Sequence, residues 1–340
     1  MNPVAGEQPL KPKMLVLELW GLGDLAIATP FLQSASEKFQ VTLLAKPHAL
    51  ELQPEFWPGV KVIPFTAPWT PFRKKYRLLS WPWKKLFRLV RDLRDEHFDL
   101  ALSARWDPRD HVILNLAGAK QQWGFPRVGS HFFLSRAFRR PEGTAHRFPS
   151  WKKIAQELGL VLQLPKNAVA SSGIILVHTG ASHVAKVWPL DRFHRLVEKL
   201  RQLNHAVRVL CDPSQRESWI RHGEKEIVVP SSVSELLLEL KRGGLFIGND
   251  SGSGHLAALC GLPTFTIFGS QFAEAFLPLH PQADFLEGKP CPYKPCHESC
   301  RFPAPYCLTD LTDTEVWEKV ESFVKKHCSK QAAPEILSRP

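Results

Sequence analysis

The chain has 340 residues, more than a single hydrophobic core usually holds, so two α/β domains are expected rather than one. Lys and Arg number 44 against 33 for Asp and Glu, and the formal net charge of +11 favours an anionic partner: a phosphosugar, a membrane surface or nucleic acid. The segment before Met14 lacks the apolar core of a signal peptide, and no later apolar run reaches the ~18 residues of a spanning helix, so we expect a cytoplasmic protein rather than a secreted or membrane-spanning one.

The first half of the chain alternates short apolar runs with segments of helical spacing. Strands are predicted at residues 14–19, 41–45 and 99–103. Helices are predicted at residues 25–39 and 84–98. Because strands that alternate with helices build a parallel sheet, a first α/β domain is expected here.

The same alternation starts again after a basic, proline-containing stretch. Strands are predicted at residues 173–178, 206–211, 244–249 and 264–269. A helix is predicted at residues 151–158, before this restart, and further helices at residues 191–203 and 232–241 and after Ser253. We therefore predict an N-terminal domain over residues 1–170 and a C-terminal domain over residues 171–340, the latter with a cysteine-rich late loop and a C-terminal helix.

The turn after the first strand carries the first candidate functional residue. Gly21-Leu22-Gly23-Asp24-Leu25-Ala26 fits the Gly-x-Gly-x-x-Ala fingerprint of dinucleotide-binding domains. Asp24 argues against that interpretation, because it would set a negative charge beside the pyrophosphate. Two roles for Asp24 stay open: it accepts a proton from a substrate hydroxyl, or it caps the following helix.

The segment over residues 248–269 carries a second candidate site. Its Ser251-Gly252-Ser253-Gly254 turn precedes a helix, and backbone N–H groups at a helix start bind anions such as phosphate. Asp250 and His255 flank this turn. Either residue could hold a ribose or the turn itself, and His255 also fits a buried core histidine.

The third candidate segment, residues 178–193, follows another predicted strand. Lys186 lies in its loop, just before Trp188-Pro189 opens a helix. A lysine over a strand-end loop is suited to a phosphate oxygen, although a solvated surface lysine is the commoner case. All three segments follow the carboxyl end of a strand, where α/β sheets place their ligands.

Taken together, these motifs resemble glycosyltransferase family 9, the bacterial heptosyltransferases. The resemblance rests on G-L-G-D with a following T-P, on H-T-G-A-S with K-V-W-P-L-D-R-F, and on G-N-D-S-G-S-G-H-L-A-A, in this order over about residues 14–317. It implies the GT-B fold: two Rossmann-like βαβ domains facing an interdomain cleft, with the acceptor on the N-terminal domain and a nucleotide-sugar on the C-terminal one.

The resemblance also implies roles for individual residues. Asp24 matches the aspartate regarded as the catalytic base of the family. The positions that match its donor-binding residues are Thr179, Gly180, Lys186, Asp250, Ser251, Gly252 and His255. One departure is Cys211-Asp212-Pro213-Ser214-Gln215, where relatives often have Gly-Gly-Pro followed by an acid that contacts the donor.

The activity implied is inverting, metal-independent transfer of a sugar, typically heptose from ADP-heptose, onto a lipid-linked saccharide of the lipopolysaccharide core. No cofactor is required for this chemistry. Two alternatives remain: another GT-B nucleotide-sugar enzyme, such as an epimerase or a transferase of a different sugar, and a non-catalytic protein that binds an anionic polymer or lipid.

A basic segment rich in tryptophan separates the second and third predicted strands. No Asp or Glu occurs from Phe56 to Arg91, whereas cations and tryptophans alternate there. Such a mixture suits the anionic headgroup region of a membrane, so we expect a peripheral position on the inner face of the inner membrane, with nucleic acid disfavoured. A solvated basic face explains the pattern equally well. The residues predicted to form this acceptor or membrane surface are Arg73, Lys74, Lys75, Lys84 and Lys85.

Four cysteines cluster late in the chain, at Cys291, Cys296, Cys300 and Cys307. Four thiols in one segment are sufficient for a structural zinc ion, but their spacing lacks the paired Cys-x-x-Cys of common zinc folds. A metal, a disulfide or neither therefore remains open. The proposed chemistry does not require a metal there.

Overall fold

The computed structural model describes residues 10–70, 77–143, 146–166, 173–296 and 300–328. The chain forms two compact units, Met1–Gln163 and Leu164–Pro340, called unit 1 and unit 2 below. The predicted boundary between residues 170 and 171 lies outside the described residues. In each unit, the described strands form one six-stranded sheet.

Unit 1 alternates strands and helices from its first strand onward. In chain order its elements are β1 (Lys13–Glu18), α1 (Leu22–Lys38), β2 (Gln40–Ala45), α2 (Ala49–Phe56), β3 (Lys61–Pro64), α3 (Trp83–Asp95), β4 (Leu100–Leu102), α4 (Pro108–Leu116), β5 (Gln121–Gly124), β6 (Arg136–Ala137) and α5 (Phe148–Glu157). The described strands pair in parallel in the order β3-β2-β1-β4-β5-β6.

The centre of this sheet is continuously apolar because helices cover both of its faces. Leu15 and Leu17 of β1 are fully buried and share a core cluster with Ala101 of β4 and Leu93 of α3. Helix α1 packs on α5, where the rings of Phe31 and Trp151 lie 4.9 Å apart. The result is a rigid base beneath the loops that follow β1 and β4.

Unit 2 repeats the pattern. Its elements are β7 (Ile174–His178), α6 (Leu190–Gln202), β8 (Ala206–Leu210), α7 (Arg216–Arg221), β9 (Ile227–Val228), α8 (Val233–Arg242), β10 (Leu245–Asn249), α9 (Gly252–Leu259), β11 (Thr264–Phe268), α10 (Ala273–Phe276), β12 (Ala283–Glu287), α11 (Tyr306–Thr309) and α12 (Asp313–His327). The parallel order is β12-β11-β10-β7-β8-β9. Phe323 of α12 packs on Phe265 of β11, so the predicted C-terminal helix completes this core.

Numbered within its own unit, each sheet has the strand order 3-2-1-4-5-6 of a Rossmann fold. In that order the connections change direction between the first and fourth strands. The switch point lies between β1 and β4 in unit 1 and between β7 and β10 in unit 2. Ligands of such sheets bind in the crevice outside the carboxyl ends of these two strands.

Candidate functional site

Asp24 lies at the switch point of unit 1, in the first turn of α1. That helix begins at Leu22, three residues before its predicted start, so Asp24 is inside it. Its Oδ2 accepts a hydrogen bond from the backbone N–H of Gly21 at 3.2 Å, which is the capping contact considered above. Its Oδ1 accepts one from Arg105 Nη1 at 2.9 Å. Asp24 therefore caps its helix and also faces a cation.

Arg105 reaches Asp24 from the other side of the switch point. It follows β4, and its guanidinium carbon lies 3.9 Å from the ring centroid of Trp20, which stands just before the glycine turn. The backbone carbonyl of Arg105 is held by His111 Nε2 at 3.1 Å. Arg105 is only 8% exposed, and its Nε has no hydrogen-bond partner among the described residues. Arg105 was not among the residues predicted from the sequence, although its position after a predicted strand points to it.

Glu18 lies beneath this ion pair at the end of β1 and is 2% exposed. Burial raises its pKa from 4.5 to about 8, and the nearby charge of Asp24 adds to the rise, while Arg105 and Arg147 oppose it. Glu18 is consequently mostly protonated near neutral pH. Asp24, which pairs with Arg105, and the buried Glu18 are thus neighbouring carboxyl groups in different environments.

Two further arginines pack on the ring of Trp106, the residue after Arg105. The guanidinium carbons of Arg140 and Arg147 lie 3.9 and 3.7 Å from the ring centroid of Trp106. Burial and the charge of Arg105 lower the pKa of Arg147 to about 10. Its buried Nη1 has no hydrogen-bond partner within the described part of the chain. Cations that repel each other and keep unused donors form a favourable environment for an anion.

Buried polar contacts also fix the helix behind Arg105. Asp107 caps α4 by accepting from the backbone N–H of Arg109 at 3.0 Å. Asp110, one turn later, accepts from Trp69 Nε1 at 3.1 Å, and its pKa is raised to about 7 because it is buried. These contacts stabilise the loop that presents Arg105.

A second ion pair lies at the switch point of unit 2. Lys186 Nζ is 2.6 Å from Asp250 Oδ2. This contact connects the loop after β7 to the end of β10. Asp250 is nearly buried, and its backbone N–H donates to Ile267 O at 3.1 Å. The predicted donor-binding residues Lys186 and Asp250 are therefore in direct contact.

The serine-glycine turn begins α9 beside this pair. Ser251 is the residue before the helix, Gly252 is its first residue, and His255 is buried inside it. The buried hydroxyl of Ser251 has no hydrogen-bond partner among the described residues. Ser253 Oγ lies 3.3 Å from His178 Nε2 at the end of β7. A helix start with an unused hydroxyl beside a lysine has the composition of a phosphate-binding site.

Thr179 and Gly180 lie on the floor of the loop after β7. Thr179 is fully buried; its hydroxyl donates to Gln215 Oε1 at 2.9 Å and accepts from Trp219 Nε1 at 3.3 Å. A Cβ at Gly180 would lie 2.3 Å from Asp212 Oδ1, so a larger residue there would require the Asp212 carboxylate to move. Asp212 Oδ2 in turn accepts from Ala181 N at 3.2 Å. The Asp212–Gln215 turn, which departs from the family pattern, thus supports the loop that carries Lys186.

The predicted basic surface is only partly visible. Lys84 and Lys85 are exposed on the first turn of α3. Arg73, Lys74 and Lys75 lie outside the described residues. No helix in the described part of the chain is long and apolar enough to cross a membrane.

Cys291, Cys296, Cys300 and Cys307 line one small cavity of about 10 Å³, together with Ala185. However, the Sγ atoms of Cys296 and Cys300 point at different carbonyls, those of Tyr293 at 3.3 Å and Ala304 at 3.7 Å. Over the described ranges, no group of three or more Cys, His, Asp or Glu is arranged to hold a metal. The predicted structural zinc site is therefore not supported.

Comparison with known proteins identifies the family of this chain. The model of glycosyltransferase family 9 (heptosyltransferase) matches residues 86–304. Lipopolysaccharide heptosyltransferase 1 of Campylobacter coli is 28% identical over 157 residues, which cover 42% of this chain and 45% of that protein. The chain thus matches less than half the length of this curated relative.

Solved structures resemble the chain over nearly its whole length. The Escherichia coli ADP-heptose lipopolysaccharide heptosyltransferase II aligns with a TM-score of 0.68 at 16% identity, over 92% of this chain and 99% of that one. An E. coli heptosyltransferase with ADP aligns with a TM-score of 0.70 at 16% identity and the same coverage. The predicted fold class, two Rossmann-like domains of the GT-B class, is confirmed.

Proposed function

The chain belongs to glycosyltransferase family 9, and on that premise we propose that it transfers a sugar from a nucleotide-sugar to a saccharide acceptor with inversion at the anomeric carbon. The observation that carries the proposal is the pair of switch points. One presents a carboxylate, Asp24, held by Arg105. The other presents a cation, Lys186, beside the start of α9.

The donor binds to unit 2 in this proposal. Lys186, the backbone N–H groups at Ser251 and Gly252 and the Ser251 hydroxyl contact its diphosphate. The ADP in one similar structure and the ADP-heptose in the name of another favour ADP-heptose as the donor. Because a lysine and oriented N–H groups already oppose the charge of the leaving diphosphate, the scheme requires no divalent cation.

The chemical step is a single displacement. Asp24 takes the proton of the acceptor hydroxyl, and the hydroxyl oxygen forms a bond to the anomeric carbon. The bond from that carbon to the diphosphate oxygen breaks, and the nucleoside diphosphate leaves with the electron pair. Arg105 is the positioning residue, since it fixes one oxygen of Asp24 at 2.9 Å while the Gly21 N–H fixes the other at 3.2 Å.

The acceptor in this proposal carries an anionic group near the hydroxyl that reacts. Glu18 is mostly protonated here and Asp107 pairs with Arg109, so Asp24 alone does not balance the charge of Arg105, Arg140 and Arg147. A carboxylate or phosphate on the acceptor would use the free donor of Arg147. A lipid-linked saccharide of the lipopolysaccharide core, made on the cytoplasmic face of the inner membrane, is the acceptor proposed.

Asp24→Asn tests the proposed base. The amide oxygen still accepts from the Gly21 N–H, so the helix cap survives, but the residue no longer takes a proton. We expect turnover of ADP-heptose and a core-oligosaccharide acceptor, followed by mass spectrometry of the product, to fall by ~10² or more. Stabilisation of the protein by ADP should remain unchanged.

Asp107→Asn is the matched control, because Asp107 is a second capping aspartate near the same arginines and asparagine caps equally well. Its turnover should stay within a few-fold of the native value.

Arg147→Gln tests the anionic group of the acceptor, and it should raise the acceptor KM and leave the donor KM unchanged. Native turnover in Asp24→Asn would refute the role of Asp24 as the base. Stabilisation of the protein only by nucleotides other than ADP would refute ADP-heptose as the donor.

A further inference from the structure

Large apolar side chains are exposed at the start of α3. Leu79 is fully exposed and Phe87 is 71% exposed, while Leu78 and Trp83 are about half exposed. These four residues, called the α3 patch, join the preceding 3-10 turn to the first two turns of the helix. Exposed apolar residues that occur singly need no explanation, whereas a contiguous group marks an interaction surface.

Contacts between neighbours make the patch continuous and fix it on unit 1. Trp83 Nε1 donates to Leu78 O at 2.9 Å, and the rings of Trp83 and Phe87 lie 6.3 Å apart. Trp83 also packs on Trp81 at 5.6 Å, and Trp81 packs on the buried Trp69 at 5.5 Å. This row of rings connects the patch to the core of the unit.

Cations flank the patch. Lys84, Arg88 and Arg91 recur at helical spacing on the exposed side of α3, next to Trp83 and Phe87. Leu86 and Leu93 face the core instead. The acids of the helix, Asp92 and Asp95, lie only in its last turn, and Arg91 pairs with Asp92. The end of the helix that carries the apolar side chains is therefore its cationic end.

We propose that the α3 patch docks onto an anionic lipid bilayer, with Leu79 and Phe87 inserted at the interface and Lys84 and Arg88 on the phosphates. Aromatic and aliphatic side chains beside lysine and arginine match the two layers of such an interface, apolar chains below charged headgroups. A second copy of this chain would bring the same cations together, so charge complementarity favours the membrane. The inference deepens the location proposed above and rests on none of the proposed chemistry.

Vesicle co-sedimentation tests the patch. The full chain is mixed with phosphatidylcholine vesicles, either pure or containing about a quarter phosphatidylglycerol. We expect binding to the anionic vesicles only, released as salt is raised from ~0.1 to ~1 M. Leu79→Ser/Phe87→Ser should weaken the partition coefficient by ~10-fold or more, and Lys84→Glu/Arg88→Glu by at least ~30-fold.

Matched controls come from unit 2. Ile220→Ser/Leu238→Ser removes two apolar side chains that are about half exposed, and Lys319→Glu/Lys326→Glu reverses two exposed lysines on α12. Both controls should bind vesicles as the native chain does. The proposal would be overturned if the patch and control variants weakened vesicle binding equally, or if the native chain bound neutral and anionic vesicles equally. It would also be overturned if the native chain formed a dimer that Leu79→Ser/Phe87→Ser abolished.

Turnover with a water-soluble acceptor separates this proposal from the enzymatic one. Leu79→Ser/Phe87→Ser should keep native turnover on such an acceptor and lose activity only when the acceptor is embedded in vesicles. Native vesicle binding by that variant refutes the patch and leaves the chemistry intact. If the proposed enzymatic function is wrong, the native chain itself should show no turnover with the soluble acceptor.

Discussion

Glu18 gives the sharpest test of the electrostatics around Asp24. Its pKa rises from 4.5 to about 8 on folding, because burial and then the charge of Asp24 disfavour the ionised form. The folded protein therefore binds a proton that the unfolded chain releases at neutral pH. Stability from this group is complete below pH 4.5 and is lost as pH rises towards 8.

The magnitude follows from the two pKa values. A rise from 4.5 to about 8 corresponds to roughly 5 kcal/mol of lost stability at high pH, since one pKa unit equals about 1.4 kcal/mol. Glu18→Gln removes this loss, because the amide never ionises and its oxygen can still accept from the Trp20 N–H. The variant should match the native protein near pH 5 and unfold roughly 10 °C higher at pH 9.

Thermal unfolding of both proteins at pH steps from about 5 to 9 measures this difference. The advantage of Glu18→Gln should shrink in an Asp24→Asn background, because the neighbouring charge is then absent. Asp99→Asn, which changes an exposed carboxylate paired with Lys120, serves as the control and should show no gain at high pH. Midpoints of Glu18→Gln and the native protein that move in parallel over the whole range would refute the reasoning.

Two further predictions concern unit 2. Gly180→Ala should lower the free energy of unfolding by ~1–3 kcal/mol and weaken ADP binding, because its Cβ displaces the Asp212 carboxylate. The control is Gly59→Ala in unit 1, whose Cβ meets nothing within 4 Å and should change neither calorimetry nor ADP titration. Iodoacetamide should label Cys291 long before Cys211. Hydrogen bonds from a tyrosine hydroxyl and backbone N–H groups lower the pKa of Cys291, whereas burial raises the pKa of Cys211 to about 11. Peptide mapping that finds the reverse order of labelling contradicts both assignments.

The sequence was informative where a strand lies at the centre of a sheet. Residues 14–19 and 173–178 were predicted as strands, and β1 and β7 occupy these positions at the switch points. Such strands are buried on both faces and therefore appear as unbroken apolar runs. The short edge strands β3, β6 and β9 were not predicted, because their two to four residues are at least partly exposed and form no such run.

The candidate site was only partly predictable for a related reason. Asp24, Lys186 and Asp250 follow strands that the sequence reveals, so the rule for strand ends locates them. Arg147 has no such marker: it precedes α5 and reaches the site only through its contact with Trp106. A partner defined by packing between distant segments leaves no periodic pattern in the sequence.

The two switch points use one scaffold with opposite polarity. In unit 1 the acid Asp24 follows the first strand and the cation Arg105 the fourth, whereas in unit 2 the cation Lys186 follows the first strand and the acid Asp250 the fourth. The more exposed side chain of each pair is the one that follows the first strand: the side chain of Asp24 is 20% exposed against 10% for that of Arg105, and the side chain of Lys186 is 17% exposed against 6% for that of Asp250. The partner that follows the fourth strand is therefore a buried counter-charge, and the residue that follows the first strand is the one more accessible to a ligand. In the proposed reaction, the carboxylate of unit 1 takes the proton of the acceptor hydroxyl and the ammonium of unit 2 binds a phosphate of the donor.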